Sequence, residues 1–293
     1  MKPSFTKTLR TISKVSLGVL IVLLLGYVGY VAYFSVKNRP YKVRVSNVTD
    51  SAFTVSWVTK EPMVGMVYYG EKDNFLPGPL AWLGKKKAFD DRDVSNAQTE
   101  CVSKFNEQVS KKSEDSTIEV TGFDCDNIKV TKKGAYYTHH VTVPDLDADK
   151  EYFFRVGNGL ISYNQSNFED VEFVERELPV SLVFSQKTKS LITDITTPNS
   201  AYGTSYNTYY RNDGSMGERK NFDSVIFLRT FKDGNEYPLM SAVTNKEGGW
   251  SIDLANIRDE ENKPVSMEGA LLEFMPQVDN AKPGSTGYAL YEE

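Results

Sequence analysis

A stretch of 22 residues near the N-terminus constrains this chain more than any other feature. It runs from Val15 to Val36 without a charged side chain, and Lys14 and Lys37 flank it. At about 1.5 Å per residue, a helix of this length measures about 33 Å and can cross the hydrocarbon core of a bilayer. The sequence therefore predicts an uncleaved transmembrane helix at residues 15–36. A cleaved signal peptide and a buried helix are the alternatives, but a signal peptide has a shorter apolar run and a small-residue cleavage site.

The charges on both sides of this helix bear on its orientation. Residues 1–14 contain four cations and no acid, which favours a cytoplasmic N-terminal tail. The segment 37–44 also contains four cations, but long domains cross a membrane regardless of such flanks. We therefore predict a single-pass protein of the cell membrane, with residues 1–14 cytoplasmic and the C-terminal domains extracytoplasmic.

The composition of the remaining chain limits its class. The chain has 293 residues, so about 250 follow the helix, enough for two ordinary domains. Its net charge is −5; because the first 14 residues carry +4 and the helix carries none, the rest carries −9. An exported part this acidic is a poor nucleic-acid binder, so we expect no nucleic-acid partner. Abundant Tyr and Phe with few long helical periods indicate an all-β protein built from β-sandwiches.

Apolar and polar residues alternate in several segments of the first predicted domain, residues 40–187. The alternation is strict from Phe53 to Trp57, and it predicts a strand with one buried face. Further strands are predicted at residues 65–70, 137–143 and 151–157. Residues 181–186 complete the predicted sandwich.

These strands resemble a fibronectin type III domain. Trp57 occupies the place of the strand-B tryptophan of that family, and Leu146, Tyr152 and Arg155 match its corner motif. The resemblance implies that these four residues belong to the structural core and that the Tyr152 hydroxyl bonds to nearby backbone.

In finer detail, segments 40–70 and 137–159 are similar to the N-terminal fibronectin-like domain of purple acid phosphatases. Catalysis in that family needs two metals held by Asp, Asn, Tyr and several His. This chain contains only His139 and His140, and none of the metal-binding motifs follows them. Adjacent strand residues face opposite sides, so we expect both histidines to be packed or hydrogen-bonded. We predict no catalytic residue, no metal and no cofactor.

An insertion at residues 71–136 separates the two matching halves of the first domain. Within it, Ser95-x-x-Gln98 is a capping box that predicts the start of a helix. The only cysteines of the chain, Cys101 and Cys125, both lie in the insertion, and an oxidising compartment favours a disulfide over two buried thiols. An insertion on a rigid scaffold is either a recognition surface or a decoration. The predicted helix carries an apolar stripe made of Ala97, Cys101, Val102, Phe105 and Val109.

A second β-sandwich is predicted at residues 198–293, after a Thr-rich boundary segment. The turn at residues 245–249 leads into the alternating core candidates Trp250, Ile252 and Leu254. The passage SAVTNKEGGWSIDL resembles carboxypeptidase-regulatory-like, or transthyretin-like, sandwiches. An immunoglobulin-like sandwich of another family is the alternative.

Together these features predict a membrane-anchored, non-catalytic surface protein that displays two β-sandwiches for protein or glycan binding. Adhesion or a structural role in the cell envelope fits this description. An accessory subunit of a membrane assembly, such as a secretion, pilus or enzyme complex, is the alternative. An unrecognised hydrolase or phosphatase-related enzyme is the third hypothesis.

Overall fold

A computed structural model describes most of the chain, which forms two compact units. These units are residues 1–39 and residues 40–293. The described residues are 4–37, 39–76, 83–114, 124–125, 128–159, 161–164, 184–194, 197–211, 213–221, 223–278 and 287–291.

The first unit is a single helix, α1, which spans Ser4–Lys37. It contains the whole apolar run predicted from the sequence. Large apolar side chains between Val15 and Tyr33 are exposed along it. Across the ranges given above, no helix has the length and apolar character required for a membrane span. The helix is thus observed, and its insertion in a membrane stays a prediction.

The second unit begins with a pair of antiparallel sheets, which we call the first sandwich. Three strands form one sheet in the order β1–β2–β5, and five strands form the other, in which β6 pairs with β3, β7 and β8. The predicted strand at residues 151–157 has the observed bounds of β6, and the first part of the predicted strand 181–186 lies outside the described residues. The strands are β1 (Tyr41–Ser46), β2 (Phe53–Met63), β3 (Met66–Gly70), β4 (Lys86–Phe89), β5 (Tyr136–Val143), β6 (Glu151–Gly157), β7 (Ser162–Tyr163) and β8 (Phe184–Lys187).

The core of the first sandwich is aromatic. Phe154 on β6 lies between Phe53 and Phe184, with ring centroids 5.5 Å and 5.2 Å away. Trp57, Leu146 and Tyr152 are buried as well. The Tyr152 hydroxyl accepts a hydrogen bond from the Asp147 backbone N–H at 3.0 Å, the contact implied by the corner motif.

Arg155 departs from the expected core set, because it is only half-buried. Its neighbours Phe154 and Val156 are fully buried on β6. Since side chains alternate between faces along a strand, residue 155 lies on the opposite face of the sheet. There its guanidinium lies 4.9 Å from the centroid of the Phe75 ring.

The insertion contains one long helix, α2, which spans Asp91–Glu114. The carbonyl of Asp90 accepts hydrogen bonds from the N–H groups of Asp93 and Val94, and its Oδ1 accepts one from the Arg92 N–H at 3.2 Å. Asp90 is therefore the N-cap, and the predicted cap at Ser95 is wrong. The earlier start is favoured because Asp91 and Asp93 place negative charge in the first turn, where the helix dipole stabilises it.

The apolar stripe predicted for α2 is only partly buried. Cys101 is buried, and the structure joins it to Cys125 in a disulfide. Val94 and Ala97 are half-buried, so the contact line of α2 runs through these residues and Cys101. Three further apolar residues of the predicted stripe are exposed, and the first of them is rotated by about 100° from Cys101. Those exposed residues are Val102, Phe105 and Val109.

The remaining strands form what we call the second sandwich, centred on β12. This strand pairs with β13, β14 and β16, and β17 extends the sheet beyond β16. Two further ribbons are β9 with β15 and β10 with β11. The strands are β9 (Ser200–Thr204), β10 (Tyr206–Tyr210), β11 (Met216–Lys220), β12 (Ser224–Lys232), β13 (Asn235–Glu236), β14 (Met240–Val243), β15 (Gly249–Asp253), β16 (Leu271–Val278) and β17 (Gly287–Leu290).

A separate apolar cluster forms the core of the second sandwich. Ile252 and Leu254 are buried in it beside Leu228. Trp250 is half-buried at its edge, where its ring lies 5.2 Å from that of Phe274. The two sandwiches have distinct cores, but the boundary predicted between residues 187 and 198 falls inside one compact unit.

Candidate functional site

The two sandwiches meet at a cluster of buried and half-buried polar side chains, which we call the junction. The first turn of α2 supplies most of its charges, and β5 supplies two histidines and two threonines. The second sandwich contributes one residue before β12 and one on β14. The junction comprises Ser46, Asn47, Asp90, Asp91, Arg92, Asp93, Thr138, His139, His140, Thr142, Asp223 and Ser241.

Arg92 lies at the centre of the junction. Its Nε and Nη2 donate to the two carboxylate oxygens of Asp90 at 2.8 Å and 2.9 Å. Its remaining donors reach the Asp223 carboxylate and the Thr138 carbonyl, and the guanidinium lies 3.6 Å from the centroid of the Tyr136 ring. Burial by itself would lower the pKa of Arg92, but the two carboxylates outweigh that effect and raise it. The guanidinium therefore stays charged inside the protein.

His140 connects α2 to the second sandwich. Its Nδ1 lies 2.7 Å from Asp91 Oδ2, and its Nε2 lies 2.8 Å from Ser241 Oγ. Because an ionised carboxylate only accepts, Nδ1 donates to Asp91. Ser241 Oγ also lies 2.6 Å from Ser46 Oγ. A chain of hydrogen bonds thus crosses from one sandwich to the other.

The hydrogen-bonded series Asp91, His140, Ser241 has the order of residues found in a nucleophilic triad. Ser241 Oγ has Ser46 Oγ, His140 Nε2 and Asn47 Nδ2 within 3.3 Å, and Ser241 is 6% exposed. These neighbours occupy the space that an acyl carbon must enter. In the observed conformation the arrangement links the sandwiches and gives a substrate no access to the hydroxyl.

His139 is fully buried and has a different environment from His140. Its ring stacks on Trp57 with centroids 4.7 Å apart, and its Nε2 lies 3.3 Å from Thr59 Oγ1. Its Nδ1 lies 3.8 Å from Asp90 Oδ2, beyond hydrogen-bonding distance. Burial lowers the pKa of His139 to about 3, although the nearby charge of Asp90 by itself would raise that pKa. The ring is therefore neutral at neutral pH. Both histidines are thus packed or hydrogen-bonded strand residues.

Asp93 holds the two ends of the insertion together. Its Oδ1 accepts hydrogen bonds from the Gly134 N–H at 2.8 Å and from the Tyr136 hydroxyl at 3.0 Å. Burial is the main reason why the pKa of Asp93 is raised, and burial followed by the Asp93 charge raises the pKa of Tyr136. The outgoing and returning arms of the insertion are therefore joined at the junction.

The junction supplies buried charge compensation rather than an open binding site. Among the described residues, no group of three or more His, Cys, Asp or Glu side chains could hold a metal ion. A small depression lies beside the junction, and its lining includes Lys42, Arg44, Trp57 and Phe227. The hydrogen bonds and ion pairs of the junction fix the two sandwiches against each other.

The junction was not predicted from the sequence. Arg92 and Asp223 are 131 residues apart, and His140 and Ser241 are 101 residues apart. The only local signals are the adjacent charges at residues 90–93 and the paired histidines. Neither of these patterns identifies its partner across two domains.

Comparison with known proteins bears on the first sandwich. Residues 40–170 match the family model for the purple acid phosphatase N-terminal domain, which confirms the resemblance to that fibronectin-III-like, non-catalytic domain. No curated protein matches the chain. Among solved structures, the chicken CNTN1 FN1–FN3 domains match with 10% identity and a TM-score of 0.20, over 85% of this chain and 64% of that chain. The chain therefore spans less than two thirds of that structure.

Proposed function

We propose that the chain is a membrane-anchored, non-catalytic protein that presents its two sandwiches for protein or glycan binding. Adhesion or a structural role in the cell envelope fits this proposal. The observation that carries it is the match of residues 40–170 to a non-catalytic domain. The polar side chains of the junction agree with it, because they bond to one another and leave the outer surfaces of the sheets for recognition.

The proposed anchor is α1. Its exposed apolar side chains between Val15 and Tyr33 are those that a bilayer would cover. Tyr27, Tyr30 and Tyr33 are exposed near its C-terminal end, where aromatic rings favour the headgroup region. The Cys101–Cys125 disulfide supports an extracytoplasmic location for the sandwiches, because disulfides persist in oxidising compartments.

The test uses the full chain in detergent or in lipid nanodiscs. Membrane fractions are first washed with alkaline carbonate, and we expect the protein to stay in the pellet. The nanodisc-bound chain is then applied to glycan arrays and to solubilised envelope and host-surface fractions, with empty nanodiscs as the control. Saturable binding of one glycan class or one protein supports the proposal, and its absence in every fraction contradicts the recognition role.

An accessory role in a membrane assembly is the second candidate. A β-carbon added at Gly26 or at Gly29 would have no heavy atom within 4 Å, so this side of α1 leaves space for a neighbouring helix. Mild detergent extraction separates the two roles. A discrete large complex favours the accessory subunit, and a monomer that binds an external partner favours surface recognition.

A further inference from the structure

We infer that residues 90–93, which we call the strap, lock the second sandwich onto the first, so that residues 40–293 move and unfold as one body. This inference concerns the mechanics of the protein and goes beyond the proposed function. The strap lies between β4 and the body of α2, so a segment of the insertion, rather than the linker between the sandwiches, carries the lock.

The strap is held firmly on the first sandwich. Asp91 Oδ1 accepts from the Thr142 N–H at 2.8 Å, and Asp91 Oδ2 accepts from the Thr142 hydroxyl at 2.7 Å. Asp90 Oδ2 accepts from the His140 N–H at 3.2 Å. These bonds fix the two carboxylates along β5, because each of them binds strand backbone as well as side chains.

Arg92 carries the lock to the second sandwich. Its guanidinium joins Asp90, which belongs to the strap, to Asp223, which precedes β12. Asp223 is also fixed from β5, since its Oδ1 accepts from the Thr138 hydroxyl at 2.8 Å and its Oδ2 from the Tyr137 N–H at 3.3 Å. One carboxylate of the second sandwich is thus bound by the strap and by β5 at the same time.

A neutral contact accompanies this charged one. The Asn47 side chain donates to the Ser241 carbonyl at 2.9 Å and accepts from the Ser241 N–H at 2.8 Å. The backbone N–H of Asn47 donates to the Leu239 carbonyl at 3.0 Å. These bonds position β14, but their loss would leave no charge unpaired. Removal of the Asp223 charge, in contrast, leaves a buried guanidinium with one carboxylate fewer, which is why the charged contact dominates.

The experiment compares Asp223→Asn with Glu247→Gln in the full chain. Each variant removes the charge of one carboxylate of the second sandwich that forms an ion pair. The Glu247–Lys220 pair is exposed, with side chains 76% and 51% accessible, whereas Arg92 and Asp223 are 9% and 13% accessible. Any effect of net charge is therefore shared by both variants, and only Asp223→Asn disturbs the lock.

Two measurements are made on each variant, and neither requires a ligand. Scanning calorimetry should show one transition for residues 40–293 in the wild type and in Glu247→Gln, and two transitions in Asp223→Asn. Non-natural amino acids at the exposed positions Ser185 and Lys246 carry one probe each, and the distance between the two probes is measured. Its distribution should be narrow in the wild type and in Glu247→Gln. In Asp223→Asn it should be at least twice as wide.

A single transition together with an unchanged distance distribution in Asp223→Asn overturns the inference. If that variant does not fold, Thr138→Val serves instead, because it removes only the hydroxyl that donates to Asp223. A partial broadening in Thr138→Val then supports the lock, and wild-type behaviour contradicts it. Since both readouts are independent of binding, failure of the lock is distinct from failure of the proposed function.

Discussion

Gly65 lies directly against the ring of His139. A β-carbon added at Gly65 would be 2.4 Å from His139 Nδ1 and 3.4 Å from Asp90 Oδ2. No real β-carbon approaches a neighbour so closely, and the histidine is fixed by its stacking on Trp57. The absence of a side chain at position 65 is therefore a condition for the observed packing of β5.

We expect Gly65→Ala to lower the free energy of unfolding by about 1–3 kcal/mol, because an extra methyl group overpacks the space beside a fully buried ring. Denaturant unfolding measures the change. Gly70→Ala is the matched control at the end of β3, since its added β-carbon meets only the flexible end of Lys85 at 3.3 Å. Equal losses in the two variants would contradict a specific clash with His139.

Acid should weaken the folded state through His139. Its pKa of about 3 is lower than the ordinary value of 6.5, so the unfolded chain binds a proton that the folded chain rejects. The stability from the neutral ring is complete above about pH 6.5 and is lost as the pH falls towards 3. We expect a loss of about 2 kcal/mol in the free energy of unfolding between pH 7 and pH 5.

Denaturant unfolding across this pH range tests the effect, with His139→Gln as the comparison. The variant removes the titrating ring, so its pH slope should be flatter than that of the wild type. Asp93 has the opposite effect on stability as the pH falls, because its raised pKa means that the folded state binds a proton more readily than the unfolded state. A slope that does not change in His139→Gln would assign the acid sensitivity to other groups.

The disulfide should make a measurable contribution to stability. Cys101 and Cys125 are 24 residues apart, and closure of a loop of this length stabilises a fold by roughly 3 kcal/mol in the chain-entropy estimate. We expect the Cys101→Ser/Cys125→Ser double variant to lose about this amount. Mass spectrometry of the protein isolated from membranes, alkylated before and after reduction, tests the bond itself. Two thiols alkylated without reductant would show that the pair is free in the cell.

The Tyr152 hydroxyl should contribute a smaller amount. It accepts the Asp147 N–H, so Tyr152→Phe leaves that donor without its partner and should lower the free energy of unfolding by about 1 kcal/mol. Tyr202→Phe is the control, because Tyr202 is 83% exposed. The corner has no stabilising role if the two variants unfold at the same denaturant concentration.

The Ser241 hydroxyl should not react with an electrophile in the folded protein. Its polar neighbours fill the space around it, so we expect no covalent adduct with a fluorophosphonate probe at neutral pH. Intact-protein mass spectrometry gives the answer, and a denatured and refolded sample serves as the control for accessibility. A stoichiometric adduct that Ser241→Ala abolishes would instead indicate a working nucleophile.

Patterns confined to one strand or helix were predictable from the sequence. The alternation around Tyr152 predicted the bounds of β6, because one buried face suffices to define that pattern. The start of α2 was misplaced because two capping patterns compete within five residues, and only the contacts of Asp90 decide between them. The junction was beyond prediction, since its contacts between the sandwiches join Arg92 to Asp223, 131 positions away, and His140 to Ser241, 101 positions away.

The arrangement of Asn47 has a practical consequence for how the protein is made. Asn47-Val-Thr49 fits the acceptor pattern for N-linked sugars, which are attached at Nδ2. That nitrogen donates to Thr54 Oγ1 and to the Ser241 carbonyl in the folded protein. A host that glycosylates this position before folding ends would produce molecules whose β14 cannot dock, so a host without N-glycosylation is the source of choice for homogeneous material.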